Sequence, residues 1–412
     1  MSRHPVSSSS PVTLLYFADT RFPIERANGA QTMATCHALA ARGHDVCLVV
    51  RPDTAPSARD PFEFYGLSRQ ARLTIQTVPS SGSPAARRIR FLLSAVRRSS
   101  RRSALVFTRD LGLAAVLLRL PRSRRPRVIY ESHGVAAVVS EELPRLLGRP
   151  VLAPSAAKLR RLDRGDARVW ARASAYVTIT RTLAEELAVR YGSRDRVFVV
   201  PDAACDRGHT EAPSAASAAP TAASSGAASF IVGYAGHLYP WKGVDVLIEG
   251  LALEPRARGL IVGGHPAEHD RARVEALVRE RGISDRVEFT GLVPPAEVAG
   301  HLSRASVLVV PNLASAISDR YASPLKLFEY LTMARPIVAS DLPALREILT
   351  NERHALLVPP GDPVALARAL GRLADDPALA ASLGAEARAL APAFTWEARA
   401  IRLEAAMRAA TA

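Results

Sequence analysis

"FIVGYAGHLYPWKGVDVLIEGL", residues 230–251, decides the fold. An apolar run of buried-strand type ends at Gly236, and a stretch of helical length begins at Val244. The turn between them carries Lys242 and Gly243. A strand that opens into a glycine turn and then a helix is the repeating unit of a parallel sheet covered on both faces.

The unit recurs on both sides. Downstream come "GLIVGG", "RVEFTG", "SVLVVP", "PIVASD" and "ALLVPP", with helical stretches between them. Upstream, "EAPSAASAAPTAASSGAAS" (211–229) holds only small residues, proline and one acid, and cannot bury a core. Before it runs a second alternating series: "VTLLYFAD", "VCLVV", "LTIQTV", "ALVFTRD", "RVIYESHG", "AYVTIT" and "RVFVVPD". In the first of these units, "NGAQTMATCHALAARGHD" reads as a loop and amphipathic helix closed by Gly43. The pattern predicts an α/β chain of two doubly wound Rossmann-like domains facing a central cleft. The expected division is a tail over 1–11, a first domain over 12–208, a linker over 209–229 and a second domain over 230–392. Residues 393–412 form a terminal helix.

In such sheets ligands bind beyond the carboxyl ends of the strands. Several strands of the second series end in glycine there, at Gly236, Gly263, Gly264 and Gly291, which suits close approach to a phosphate. Lys242 stands before a helix on that edge and can reach an anion; taken alone, a surface lysine before a helix explains it equally well. A second stretch, "SPLKLFEYLTMARPIVASDLPALREIL", places Ser323 and Pro324 as a cap and first-turn pair, so a helix begins near Leu325. Its N–H groups face the same edge, with Glu329 about one turn inside; a solvated Lys and Glu at i and i+3 is the plain alternative. The chain has three lysines, Lys158, Lys242 and Lys326, and arginine supplies the other 51 of its 54 basic residues. Two of the three thus fall in the segments facing the ligand edge, where a compact point charge fits and a planar fork does not.

Taken in order and spacing, "GHLYPWKGVDVLI", "LIVGGHP", "VEFTGLVPPAEV" and "SPLKLFEYLTMARPIVASDLPALREI" resemble the nucleotide-sugar domain of GT-B glycosyltransferases of retaining family 4, the glycosyl transferases group 1. "RFPIERANGAQTMATCHALAARGHDV", "FTRDLGLAAVLL", "VIYESHG" and "VTITRTLAEEL" extend the resemblance over nearly the whole chain. It implies that Lys242 contacts the donor diphosphate and that Glu329 holds the ribose. It also implies that the turn at Leu325 and Lys326 meets the phosphates, that Gly29 belongs to a first-domain loop closing on the site, and that His133 lies between donor and acceptor. His133 reads equally as a core histidine at a strand end. Two departures stand out: His237 occupies the place of an arginine that usually accompanies Lys242, and Tyr321 the place of a glutamate that touches the donor sugar. Asp319 or Lys326 is the candidate to take over from that glutamate.

The expected reaction is transfer of a sugar from a nucleoside diphosphate donor, with retention, to a glycan or lipid-linked acceptor such as a cell-envelope polysaccharide precursor. A leaving diphosphate accumulates negative charge, which fixed cations and amides stabilise without a base of matched pKa. With no Asp-x-Asp or histidine cluster of metal-ligand type, no metal or other cofactor is expected. The rival readings are a nucleotide-sugar hydrolase or epimerase of the same fold, and a weakly catalytic scaffold subunit.

The net charge of +15 is uneven: residues 1–200 hold 33 basic against 15 acidic side chains, and residues 201–412 hold 21 against 24. The first half therefore faces something anionic. "RRIRFLLSAVRRSSRR" (87–102) interleaves seven arginines with an apolar face and fits an anionic bilayer surface; an ordinary domain helix with an Arg-written face is the alternative. Nucleic acid is not expected as a partner, since aromatics for stacking are not interleaved there. Three unclustered cysteines argue against disulfides and zinc, and no apolar run reaches the ~20 residues of a membrane span. The expected location is cytoplasmic, peripheral at the inner face of the plasma membrane.

Overall fold

The computed structural model describes residues 11–55, 57–100, 105–148, 150–206, 230–265 and 269–412. The tail over 1–10, the small-residue stretch over 207–229, and Arg101 and Arg102 lie outside the described residues.

Each series of apolar runs forms one parallel sheet. The first contains β1 (Thr13–Arg21), β2 (Asp45–Arg51), β3 (Leu73–Thr77), β4 (Leu105–Thr108), β5 (Arg127–Ser132), β6 (Ala175–Thr178) and β7 (Val197–Val199). Their order is β3-β2-β1-β4-β5-β6-β7. The second contains β8 (Phe230–Ala235), β9 (Ala257–Val262), β10 (Val287–Gly291), β11 (Val307–Val310), β12 (Ile337–Ser340) and β13 (Leu356–Val358), ordered β10-β9-β8-β11-β12-β13. β4, β6, β11 and β12 are buried at every position, which is why they read as continuous apolar runs and not as alternations.

Helices cover both faces of each sheet, so each domain has two core layers. In both sheets the strand order reverses at the first strand, between β1 and β4 and between β8 and β11. A crevice opens beyond the carboxyl ends at such a reversal. The two crevices face each other.

The terminal helix Trp396–Thr411 packs against the first domain: Ala400, Leu403, Ala406, Met407 and Ala410 join the core beneath β4, β5, β6 and β7. Carboxylates also cross between the domains to cap helices. Glu142 of the first domain accepts from the N–H groups of Ala316 (3.0 Å) and Ile317 (3.1 Å), and Glu347 of the second from those of Arg181 (2.7 Å) and Thr182 (2.8 Å). Each bond satisfies a helix N–H that its own helix leaves open.

Candidate functional site

A cleft of about 370 Å³ lies between the two reversal points. Its second-domain wall begins where β8 ends. Gly236 has φ +128°, and a Cβ added there would sit 3.3 Å from Lys326 Nζ, so the glycine makes room for the lysine. Lys326, in the first turn of the helix Leu325–Leu331, is buried; its Nζ lies 3.6 Å from the Tyr234 ring centre and has no hydrogen-bond partner. Burial, then the charge of Lys242, pushes its pKa well below the usual lysine value, against the pull of Glu329.

Lys242 ends a short 3₁₀ turn and places Nζ 3.6 Å over the Trp241 ring. Burial pushes its pKa down to about 7. The turn is fixed by Gly243, whose φ of +72° and closeness to the Pro311 carbonyl leave no room for a side chain. Five of the fourteen unpartnered buried side-chain polar atoms among the described residues line this cleft: Lys326 Nζ, Trp241 Nε1, Asn312 Nδ2, Asn312 Oδ1 and Asp202 Oδ1. Buried polar groups are ordinarily satisfied, so this clustering marks a place where a polar ligand completes the structure.

The first-domain wall is organised differently. Glu131, at the end of β5 and buried, accepts from His133 Nε2 (2.6 Å), Gln31 Nε2 (2.7 Å) and Arg399 Nη2 (2.5 Å), with Arg109 Nε at 3.7 Å. Burial would raise its pKa, but Arg399, His133 and Arg109 together hold it well below the carboxylate range. Burial and then Arg109 lower the His133 pKa. A neutral imidazole that donates from Nε2 to a fixed carboxylate keeps Nδ1 as an acceptor. Arg399 comes from the terminal helix and also donates to the carbonyls of Val200 (2.7 Å) and Pro201 (2.6 Å).

The structure brings His133, Gly236, His237, Lys242, Gly264, Ser323, Pro324, Leu325, Lys326 and Glu329 to this one cleft. His237 stacks on Tyr239, with ring centres 5.0 Å apart. Gly29 is placed elsewhere: it lies within the helix Ala27–Ala41, not in a loop, and packs against Ile24 and Tyr65, while its neighbours Asn28 and Ala30 line the cleft. Ser323 does not cap the helix that follows. Its hydroxyl accepts from the Asp202 N–H (2.9 Å), and Pro324 is the cap residue, with no side-chain bond. Tyr321 is buried and lines the cleft, but its hydroxyl donates to Glu186 of the first domain (2.8 Å). Asp319 accepts from the N–H of Ser315 at the start of its own helix (3.4 Å) and does not line the cleft. Sequence reasoning missed Glu131, Gln31, Arg109, Arg399, Trp241 and Asn312. Among the described residues, no group of three or more His, Cys, Asp or Glu side chains is placed to hold a metal ion.

Two facing Rossmann-like domains with a cation-lined cleft between their reversal points define the GT-B architecture. The comparisons agree. Residues 28–203 match the family model "Glycosyl transferase 4-like domain", and residues 229–376 match "Glycosyl transferases group 1". The chain belongs to the group 1 glycosyltransferase family. It is 32% identical over 241 residues to the D-inositol 3-phosphate glycosyltransferase of Xylanimonas cellulosilytica, covering 57% of this chain and 56% of that protein. It is 30% identical over 224 residues to the 2-deoxystreptamine glucosyltransferase of Streptomyces kanamyceticus, covering 51% and 54%. The matched part is thus about half the length of these relatives or less. Among solved structures, the sucrose-phosphate synthase of Thermosynechococcus elongatus superposes with a TM-score of 0.72 at 22% identity, covering 96% of this chain and 98% of that one. Anabaena HepE in complex with UDP and glucose also gives 0.72, at 16% identity with 96% and 99% covered. At these identities the superpositions speak for the fold.

Proposed function

We propose that the protein transfers a sugar, with retention, from a nucleoside diphosphate donor held on the second domain to a glycan or lipid-linked acceptor on the first. The observation that carries this reading is the pair Lys242 and Lys326 at the reversal point of the second sheet, beside unpartnered side-chain donors. A diphosphate, with acceptor oxygens only, is matched to the donors Lys242 Nζ, Lys326 Nζ and Trp241 Nε1. As it leaves it gathers charge, and groups already fixed there lower the barrier without reorganising. Glu329, exposed in the cleft, is assigned to the ribose.

His133, held by Glu131, is assigned a place beside the acceptor, and in a same-face mechanism the departing phosphate takes the acceptor's proton. The diphosphate charge is met by protein groups, so activity should survive chelation of divalent ions. UDP-, GDP- and ADP-sugars should be screened for thermal stabilisation, since a ligand at 100 times its dissociation constant adds roughly 2.7 kcal/mol. The stabilising donor should turn over with the anomeric configuration kept, and Lys242→Ala should abolish turnover. A folded protein that none of these donors stabilises would sink the reading. Release of free sugar at the same rate with and without acceptor would favour the hydrolase.

An anionic membrane surface is proposed as a further partner, through the helix Pro84–Ser99. That helix turns Ile89 and Leu93 outward beside exposed Arg90, which also donates to Ser81, and exposed Arg97, and this face supports the proposal. Arg88 is committed elsewhere, to Asp19 and Asp110, and Arg98 bonds to Gln76. Among the described residues no helix is long and apolar enough to cross a membrane. Sedimentation with phosphatidylglycerol vesicles should exceed that with phosphatidylcholine and be lost in Leu93→Asp; equal sedimentation would remove this partner.

A further inference from the structure

Asn312 lies two residues past the end of β11, after Pro311, at the strand reversal where the cleft opens. It is 1% exposed, lines the cleft, and neither half of its amide has a partner. An unsatisfied buried polar group costs roughly 1–3 kcal/mol, so a doubly orphaned amide is a liability unless something else completes it. We propose that the Asn312 amide reads a hydroxyl of the donor sugar, replacing the hydrogen-bonding group that Tyr321 withholds. The proposal rests on the donor reading above and sharpens it.

The chemistry of the orphans separates their partners. The orphans Lys326 Nζ and Trp241 Nε1, like the neighbouring Lys242 Nζ, only donate, and phosphate oxygens only accept. Asn312 presents a donor and an acceptor side by side. A diphosphate would use Nδ2 and leave Oδ1 orphaned, whereas a sugar hydroxyl both donates and accepts and satisfies the pair.

The placement is fixed relative to the phosphate cations. The Leu313 N–H donates to the Trp241 carbonyl (3.0 Å), and Gly243 lies flush against the Pro311 carbonyl, so Asn312 is held in register with the Lys242 turn. A sugar attached to a diphosphate seated on Lys242 must lie within a few ångströms of that turn. Tyr321, which also lines the cleft, offers a ring, because its hydroxyl is engaged by Glu186. The other orphan of the cleft, Asp202 Oδ1, can only accept and belongs to the chain beyond β7.

The test compares each nucleoside diphosphate with its sugar derivative by calorimetry: UDP with UDP-glucose, GDP with GDP-mannose, ADP with ADP-glucose. For the pair that binds the native protein, Asn312→Ala should leave the affinity for the bare diphosphate within about twofold. It should weaken the sugar nucleotide by about tenfold to a hundredfold, as one or two lost hydrogen bonds predict. Asn312→Ser, which keeps a hydroxyl that donates and accepts, should recover part of that loss. The ligand-free melting temperature should hold or rise in Asn312→Ala, because the variant removes orphaned groups.

Equal weakening of diphosphate and sugar nucleotide would assign Asn312 to the phosphates and overturn the proposal while leaving the donor reading intact. A melting temperature lowered by several degrees with the affinity ratio unchanged would make Asn312 structural and also overturn it. Failure of the native protein to bind any of the six nucleotides would overturn both readings.

Discussion

The two walls of the cleft hold their polar side chains in opposite states. On the first domain the buried carboxylate Glu131 is shared among Gln31, His133 and Arg399, and nearby Arg59 is shared between Glu25 and Asp53. On the second domain Lys326 Nζ, Trp241 Nε1 and both ends of the Asn312 amide have no partner. Low dielectric strengthens a completed network and penalises an incomplete one. Asp202 Oδ1 apart, the first wall is therefore finished before any ligand arrives, and its network fixes the ring orientation of His133. The second wall is left incomplete until a ligand arrives. Substitutions on the first should be felt in the fold, and substitutions on the second in binding.

The sharpest way to break this contrast is Arg399→Leu. Arg399 is 1% exposed and its carboxylate partner Glu131 is equally buried. Removing the cation strips Glu131 of its closest charge partner and leaves only Arg109, at 3.7 Å, with the His133 and Gln31 bonds, and breaking comparable buried pairs costs about 3–5 kcal/mol. Urea unfolding should show that loss, and Glu131→Gln combined with Arg399→Leu should restore part of it, since the stranded charge is then gone. If the single variant is as stable as the native protein, the first wall is not held by this network.

Next in size is Lys326→Arg. The ammonium fits between the Tyr234 ring and Gly236, where a Cβ would already come within 3.3 Å of it, and a planar guanidinium needs more room. Turnover should fall about a hundredfold, the scale of one lost charge-stabilising donor. The melting temperature should stay near the native value, and Lys326→Met should even raise it by removing an unpaired buried cation. Near-native turnover in Lys326→Arg would mean that the scarcity of lysine in this chain carries no meaning at that position.

The same contrast explains how much of the molecule was readable from the chain. Every apolar run quoted above became a strand: the central ones, buried on both faces, are written in Val, Ile, Leu and Phe with little interruption, while the edge strands β3 and β10 keep polar positions. The ligand-facing residues of the second domain were legible because glycine turns and lysines sit next to one another in sequence. The first wall was not, since its bonds join distant residues: Gln31 and Glu131 are 100 positions apart, and Glu131 and Arg399 are 268 apart. One signal was available. Arg399 shares the helical stripe of Leu403 and Met407, at i, i+4 and i+8, and an arginine on an apolar stripe asks for a buried partner. Ser323 misled for a related reason: its hydroxyl serves Asp202, 121 residues away, in preference to the helix it precedes. Asn312 gave no local sign, for its meaning lies in bonds that are not made.

The finest probe of the unpaired wall is pH. Burial pushes Lys242 down to about 7 and holds Lys326 well below the usual lysine value, with His237, His265 and Glu329 lining the same cleft. Below pH 7, Lys242 already carries its proton, and any proton taken up there on binding a sugar nucleotide belongs to Lys326. Above pH 7 the bound diphosphate must draw a proton onto the amine, so affinity should fall by up to about tenfold per unit until the pKa of the complex is passed. The ligand-free protein should respond in the opposite sense. A lysine whose folded pKa lies below its unfolded value binds more protons when unfolded, so its contribution to stability rises with pH from about 7 toward the unfolded value. A nucleotide sugar is the right ligand for this titration, because its diphosphate has no group ionising near neutrality. Calorimetry from pH 6.5 to 9 in buffers of different ionisation enthalpy should show proton uptake on binding above pH 7, reduced in Lys242→Met. Uptake near zero across that range would mean that Lys242 is charged in the empty cleft, and that the second wall is better solvated than its orphaned neighbours imply.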